Sequence, residues 1–277
     1  MQVNDGHFEG VGGLRLYYKI WQPEETPQGV MAIVHGAGEH IDRYQNFVDL
    51  LVPAGYALAG YDLRGHGRSE GLRGHINSWD EYRDDQERFL KLARELFPGS
   101  PITLYGHSMG SLIALDYLQH NSQGLSSAII SGTALFPKDA APPSQVMIAK
   151  ILTGIVPRYT LKMKLEGASL SRDPNVARGY MEDPLVFWDR TVRWGAEGLK
   201  TIDRIKSRVD KIDLPVLFLH GECDPLVSVE GARQFFEQIR HPDKTLHVYP
   251  DCLHEPHNEL IYKQVVTDIQ EWLDRHH

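Results

Sequence analysis

The sequence predicts an α/β fold, in which a mostly parallel central sheet is flanked by helices on both faces. The first observation behind this prediction is that short aliphatic or β-branched runs alternate along the chain with longer segments of helical periodicity. The second is a glycine-rich segment that places a serine between a predicted strand and a predicted helix. The length of 277 residues is large for one domain but common for α/β folds that form a single unit.

The predicted strands are short and either alternating or continuously apolar. Residues 14–21 alternate like a strand, and residues 30–34 (VMAIV) form an apolar run typical of a buried strand. The remaining strands are predicted over residues 56–61, 102–105, 127–130, 216–219 and 245–249. Because ligands bind at the carboxyl ends of the strands in such sheets, we expect a site at that edge.

The predicted helices lie between these strands. Residues 43–51 and 109–120 have helical spacing of their apolar side chains. Residues 79–96 form a longer amphipathic helix, whose end is marked by a Pro-Gly pair at residues 98–99. Residues 259–273 form the last predicted helix, with its apolar side chains on the inner face.

One region interrupts the alternation. Residues 135–205 lack a clear strand and contain several prolines, while residues 145–156 have the pattern of an amphipathic helix. We therefore predict a helical cap over residues 135–205, inserted into an α/β core of residues 1–134 and 206–277 within one structural domain. The alternative is a further core helix with loops.

Composition limits the functional classes. The formal net charge of −8 argues against nucleic acid as the main partner, because phosphate binding requires clustered Lys and Arg. The two cysteines, Cys223 and Cys252, exclude a disulfide framework as the organising principle. The first residues lack a signal-peptide pattern, and no run reaches the ~18 apolar residues of a membrane span. We therefore expect a cytoplasmic protein.

The segment GHSMG at residues 106–110 matches the pattern G-x-S-x-G in its required context, after a strand and before a helix. The turn from strand to helix is tight, so Gly106 and Gly110 are needed where a Cβ would clash. Ser108 is then held at the end of the sheet, near the positive end of the following helix. We predict that Ser108 is the nucleophile.

A serine hydroxyl needs a base, and in this fold the acid and the base follow it in the order Asp or Glu, then His. Two loops leave strand ends late in the chain, and they carry Asp224 and His254. We predict that His254 is the general base and that Asp224 orients it. Their competitors are the neighbouring Glu222, Asp251 and His257.

The predicted oxyanion hole uses the backbone N–H groups of Met109, after the nucleophile, and of Ala37. Ala37 lies in the loop HGAGEH at residues 35–40, whose glycines let the backbone approach a substrate closely. The alternative is an ordinary glycine turn.

Two further motifs are given no catalytic role. The segment RGHGRS at residues 64–69 is interpreted as a structural turn. The segment HEPH at residues 254–257 is not expected to bind metal, because its proline breaks the helix such a site needs.

The chain resembles the monoacylglycerol lipase and lysophospholipase branch of the α/β-hydrolases over nearly its full length. The segments that carry the resemblance are residues 35–40 with Arg43 and Tyr44, residues 62–69 (DLRGHGRS), residues 106–110, and residues 171–174 (SRDP) through 180–185 (YMEDPL). The resemblance implies a mobile apolar cap over an acyl tunnel, and a polar pocket for glycerol formed by Glu39, Arg43, Tyr180 and His257. Alternatively, Glu39 and Arg43 pair at the start of a helix.

From these residues and the resemblance we expect a serine hydrolase that cleaves monoacylglycerols to glycerol and a fatty acid through an acyl-serine intermediate. The alternatives are a lysophospholipase, a general carboxylesterase, or a non-catalytic lipid-binding protein on the same fold. The expected partner is a lipid ester, and no cofactor is implied. Transient contact of the cap with membranes is a further hypothesis, and the oligomeric state is left open.

Overall fold

The computed structural model describes residues 1–138, 152–162 and 166–277. In that part of the chain the strands are β1 Gln2–Glu9, β2 Arg15–Gln22, β3 Val30–Val34, β4 Ala57–Tyr61, β5 Ile102–His107, β6 Ser127–Ser131, β7 Thr160–Leu161, β8 Arg190–Thr191, β9 Val216–Gly221 and β10 Lys244–Tyr249. Eight of them form a sheet in the order β1-β2-β4-β3-β5-β6-β9-β10, and β7 pairs with β8 separately. From β4 to β10 the neighbours are parallel, which confirms the predicted mostly parallel sheet.

The antiparallel edge of the sheet contains a strand that the sequence pattern did not predict. β1 pairs with β2 along its whole length, from Gln2 opposite Gln22 to Glu9 opposite Arg15. Its residues are mostly exposed and polar, so it lacks the apolar signal of the inner strands. Pairing with β2 therefore determines this strand, because its own side chains have low strand propensity.

The helices cover both faces of the sheet. They are α1 Gln45–Leu51, α2 Asp80–Leu96, α3 Met109–Leu118, α4 Pro174–Glu182, α5 Val192–Ser207, α6 Val229–Gln238 and α7 Tyr262–His276. Buried side chains of α2, α3, α5 and α6 pack in one hydrophobic cluster, whereas those of α1 and α7 pack in a second. The inner strands divide between the two: Ile130 faces the first cluster and Ile129 the second, as expected for a period of two.

The predicted cap region is described in part. Most of the amphipathic helix predicted over residues 145–156 lies outside the described residues, and residues 152–155 are helical. The region is not free of strands, since β7 and β8 form a short antiparallel pair at residues that show no strand pattern. The predicted boundary after residue 205 falls within α5, where Ile205 is fully buried in the first cluster. The division into core and cap stays a prediction.

No helix among the residues that the structure covers is both long enough and apolar enough to cross a membrane.

Candidate active site

Ser108 lies between β5 and α3 with a backbone φ of 52°, in the region that favours glycine. The two glycines of its segment make this turn sterically feasible. A Cβ at Gly106 would come within 2.6 Å of the Gly110 carbonyl oxygen, and a Cβ at Gly110 would overlap the carbonyl of Val34. The strained turn holds the hydroxyl of Ser108 at the carboxyl end of the sheet, where it lines two cavities.

The structure brings Ser108, His254 and Asp224 into one hydrogen-bonded line. His254 Nε2 lies 2.9 Å from Ser108 Oγ, and His254 Nδ1 lies 2.7 Å from Asp224 Oδ2. The other oxygen of Asp224 accepts hydrogen bonds from the backbone N–H groups of Leu226 and Val227, at 2.8 and 3.0 Å. These two backbone groups fix the carboxylate so that Oδ2 faces the imidazole.

The charges of Asp224 and His254 shift each other's pKa. Burial alone would raise the pKa of Asp224, but the charge of His254 and its hydrogen bond lower that pKa below its usual value. Burial alone would lower the pKa of His254, but Asp224, with smaller contributions from Glu255 and Glu39, raises it above the usual value. A serine hydroxyl next to such an imidazole can transfer its proton while it attacks a carbonyl carbon.

The three alternative candidates for the acid and the base, Glu222, Asp251 and His257, do not join this hydrogen-bonded line. Glu222 is exposed, and the Asp251 carboxylate is exposed with an oxygen 3.4 Å from Arg172 Nη2. The His257 ring stacks on Tyr44 with a centroid distance of 4.9 Å and an interplanar angle of 4°. None of these three side chains hydrogen-bonds Ser108 or His254 in the described part of the chain.

The loop after β3 lies against the nucleophile. A Cβ at Gly36 would lie 2.7 Å from Glu39 Oε1 and 3.3 Å from Ser108 Cβ, so glycine allows this close approach. His35 braces the loop: its Nε2 accepts the N–H of Leu63 at 2.9 Å, and its Nδ1 lies 2.8 Å from the Gly36 carbonyl. Burial lowers the pKa of His35 to about 4, which is consistent with a neutral ring. The two predicted oxyanion residues, Ala37 and Met109, line the same cavity as Ser108.

A cavity of about 200 Å³ with ionised side chains in its wall borders Ser108, and it is called the polar cavity after them, although most of its accessible lining is apolar. Arg43 is the centre of its charged wall: Nη1 lies 2.6 Å from Glu39 Oε2 and 2.7 Å from Glu255 Oε1, and Nη2 lies 2.8 Å from Glu255 Oε2. The guanidinium also lies over the Tyr180 ring, 4.6 Å from its centroid. Burial alone would raise the pKa of Glu255, but the charge and hydrogen bonds of Arg43, together with His257 and Asn258, lower that pKa to about 2.

The predicted glycerol-pocket residues are thus only partly together. Glu39, Arg43 and Tyr180 line the polar cavity, whereas His257 does not. His257 is buried behind the cavity, with its ring 4.9 Å from that of His107, since stacking on Tyr44 holds it there. Glu255, which sequence reasoning missed, occupies the wall instead. Its position directly after His254 was the one available signal.

A second, apolar cavity of about 350 Å³ also borders Ser108. Trp79, Met109, Leu112, Leu161 and Ile202 are among its lining residues. Four residues line both cavities and therefore mark their junction: Ala37, Ser108, Arg190 and Trp194. Arg190 and Trp194 were also missed, because no local pattern indicates that they approach Ser108.

The His, Cys, Asp and Glu side chains of the described residues include no group of three or more that could hold a metal ion.

The chain is similar in sequence and in fold to known hydrolases. A family model described as serine aminopeptidase, S33, matches residues 25–261. A monoacylglycerol lipase of Mycolicibacterium smegmatis is 33% identical over 270 residues, covering 97% of this chain and 96% of the relative. Human monoglyceride lipase is 29% identical over 273 residues, covering 97% and 90%. The crystal structure of a Paleococcus ferrophilus monoacylglycerol lipase superposes with a TM-score of 0.83 at 30% identity and covers both chains fully.

Proposed function

The chain belongs to the serine aminopeptidase S33 family of α/β-hydrolases, as a monoacylglycerol lipase-like serine hydrolase, and we propose that it cleaves monoacylglycerols to glycerol and a fatty acid. In this proposal Ser108 attacks the ester carbonyl while His254 takes its proton. The imidazolium, stabilised by Asp224, then gives that proton to the departing glycerol oxygen, which leaves an acyl-serine. Water, activated by His254, releases the fatty acid and restores the serine hydroxyl.

The backbone N–H groups of Ala37 and Met109 are proposed to stabilise the negative charge on the carbonyl oxygen during both steps. Both residues border Ser108 in the apolar cavity, and Met109 begins α3, where N–H groups have no partner within the helix. Preorganised donors of this kind lower the barrier without any rearrangement during the reaction.

The observation that carries the proposal is that two cavities meet at Ser108, of which the first has carboxylates among its lining residues and the second has none. The apolar cavity suits an acyl chain, whereas the polar cavity offers hydrogen-bonding groups to a small polyol. Around Arg43 the wall carries one net negative charge, from Glu39 and Glu255 against one guanidinium, whereas the second cation, Arg190, lies at the junction with the apolar cavity. A phosphate head group would be repelled there, so a neutral glycerol head is favoured over a lysophospholipid.

We also propose that the substrate is taken from a lipid surface through the cap. Ile155, Val156, Tyr159 and Leu161 are exposed to between 42% and 72%, and Leu161 also lines the apolar cavity. An exposed apolar patch next to an acyl cavity fits a transient contact with lipid. Liposome flotation tests this: Ile155→Asp with Tyr159→Asp should reduce binding, and unchanged flotation would contradict it.

A rate comparison tests the function itself. The protein is assayed on monoacylglycerols, lysophospholipids and short-chain esters of matched chain length, with Ser108→Ala as the blank. The proposal expects the highest kcat/KM on the monoacylglycerols. A higher value on lysophospholipids, or equal values on all esters, would favour a lysophospholipase or a general carboxylesterase. A folded protein that hydrolyses none and does not react with a fluorophosphonate would be a binding protein.

A further inference from the structure

Arg190 is a buried cation at the junction of the two cavities. Only 7% of its surface is exposed, and its guanidinium lies over the rings of Phe187 and of Trp194, at 4.9 and 5.3 Å from their centroids. Nη1 donates to two backbone carbonyls, of Phe187 at 3.4 Å and of Asp189 at 3.0 Å. Its position is close to the predicted oxyanion loop, since a Cβ at Gly38 would lie 2.8 Å from Arg190 Nη2.

Arg190 differs from the other buried arginines in its partners. Arg43 binds two carboxylates and Arg64 binds Asp85, whereas no carboxylate of the described residues lies within ion-pair distance of Arg190. Its Nε and Nη2 make no hydrogen bond in the described part of the chain. Buried charges in proteins are nearly always paired. The unpaired donors of Arg190 therefore indicate that a ligand supplies the missing anion.

The position of Arg190 restricts where that anion lies. Arg190 lines both cavities together with Ser108 and Ala37, which is where the carbonyl group of a bound ester would sit. An anion deeper in the polar cavity would meet the two carboxylates beside Arg43. An anion at the junction avoids this repulsion, and any apolar tail attached to it would extend into the apolar cavity.

We propose that Arg190 binds the carboxylate of a fatty acid, with its chain in the apolar cavity, so that the enzyme is inhibited by its own acid product. The inference rests on the proposed function, because hydrolysis of the acyl-serine forms a carboxylic acid at this junction. Water adds to the acyl carbon, the bond to Ser108 Oγ breaks, and the acid then loses its proton to solvent, since carboxylic acids ionise well below pH 7. The guanidinium can donate hydrogen bonds to both carboxylate oxygens.

The test compares two ligands of equal chain length, decanoate and decan-1-ol, which differ in charge. Their affinities are measured by calorimetry at concentrations below micelle formation, in a Ser108→Ala background that cannot turn over. We expect decanoate to bind more tightly than decan-1-ol. Arg190→Gln should weaken decanoate about 10- to 100-fold, the usual contribution of a charged hydrogen-bonded pair, and leave decan-1-ol unchanged. Arg190→Lys should retain part of the preference.

Other results would overturn the inference. If decanoate and decan-1-ol bind the Ser108→Ala protein with equal affinity, the inference is wrong. This measurement needs no substitution at Arg190, so it decides the matter even if Arg190→Gln does not fold. Equal weakening of both ligands would make Arg190 a structural residue that holds residues 187–191 in place. The result is also separable from the proposed function. A protein that hydrolyses no monoacylglycerol but binds decanoate through Arg190 would refute the function alone, and active hydrolysis with no preference for decanoate would refute the inference alone.

Discussion

Arg43 donates to both carboxylate oxygens of Glu255, with Nη1 2.7 Å from Oε1 and Nη2 2.8 Å from Oε2. The same Nη1 reaches Glu39, so one guanidinium pairs with two carboxylates that are each about 2% exposed. Glu39 in turn accepts hydrogen bonds from the Gly36 N–H at 2.5 Å and the Tyr44 hydroxyl at 3.0 Å. The network therefore links the wall of the polar cavity to the loop beside Ser108.

Removal of the guanidinium should destabilise the protein strongly. Arg43→Met leaves two carboxylates buried without their cation, and breaking such a pair costs about 3–5 kcal/mol of the free energy of unfolding. Urea titration followed by circular dichroism measures the change. The control is Arg68→Met: Arg68 is 41% exposed and binds Asp42, so its loss should cost about 1 kcal/mol or less. Equal, small losses in the two variants would show that the buried network contributes little.

The proposed roles at the nucleophile predict a set of kinetic losses. Ser108→Ala and His254→Ala should each lower kcat about 10⁶-fold and Asp224→Ala about 10⁴-fold, by comparison with another triad enzyme. The double variant Ser108→Ala/His254→Ala should be no worse than either single one, because the three side chains act as a unit. His257→Ala is the matched histidine control and should keep most of the activity. Additive losses, or a crippled His257→Ala enzyme, would refute the assignment.

The raised pKa of His254 predicts where activity falls with acid. His254 must be neutral to act as a base, so kcat/KM on a short ester should fall as pH decreases through a value above 6.5. Glu255 is one of the charges that raise this pKa, so Glu255→Gln should move the acid limb to lower pH. The exposed Glu230→Gln should leave it in place. An acid limb in the Glu255→Gln profile that does not move, or moves upward, would contradict this electrostatic account.

Buried neutral histidines predict a second, separate pH effect on stability. Burial lowers the pKa of His35, His220 and His257 to about 4, whereas the unfolded chain protonates them near 6.5. Between these values the unfolded state holds more protons, so the free energy of unfolding decreases as pH falls from about 6.5 to 4. His254, whose pKa is raised, acts in the opposite direction. Thermal unfolding at pH 7.5, 6 and 5 should show a decreasing Tm, with a smaller decrease in His220→Asn than in the control His241→Asn, whose side chain is only partly buried.

The sequence predicted the elements whose signal is local. β3 is recognisable from its continuous apolar run, and the GHSMG turn from the glycines that its steric crowding requires. The sheet follows from the alternation of such strands with helices. Two helices had local signals that were overlooked. Asp173 before Pro174 caps α4, and Thr191 caps α5, with side-chain hydrogen bonds to Asn175 and Trp194.

Other features have no local cause. β1 is a strand because β2 pairs with it, and Glu255 meets Arg43 across 212 residues of chain. Arg190 reaches the junction of the cavities because β8 and the residues before it lie over the loop at Gly38, where Phe187 donates to the Gly38 carbonyl at 3.0 Å. Such contacts depend on the assembled fold, so periodicity and motif spacing could not predict them.

Two glycines of α5 allow the acyl-chain preference of the apolar cavity to be tested. Gly195 and Gly198 of α5 both line the apolar cavity. A Cβ at Gly195 would meet no atom within 4 Å, and a Cβ at Gly198 would lie 3.6 Å from Trp79 Cζ3, which is ordinary contact. A leucine at position 195 can therefore enter the cavity without a clash of its Cβ. The change also favours the helix, because glycine is about 0.8–1.0 kcal/mol poorer than alanine in a helix interior.

Gly195→Leu should thus narrow the substrate range while it leaves the fold stable. We expect kcat/KM on a dodecanoyl ester to fall at least about 10-fold, since each methylene excluded from an apolar pocket costs about 1–3 kcal/mol. The same parameter on a butyryl ester should stay near the parent value, because a short chain does not reach the blocked volume. Lys200→Leu places the same side chain on the exposed face of α5 and should change neither rate. A uniform fall on both esters, or a dodecanoyl rate that is unaffected, would mean that the acyl chain does not occupy the cavity beside Gly195.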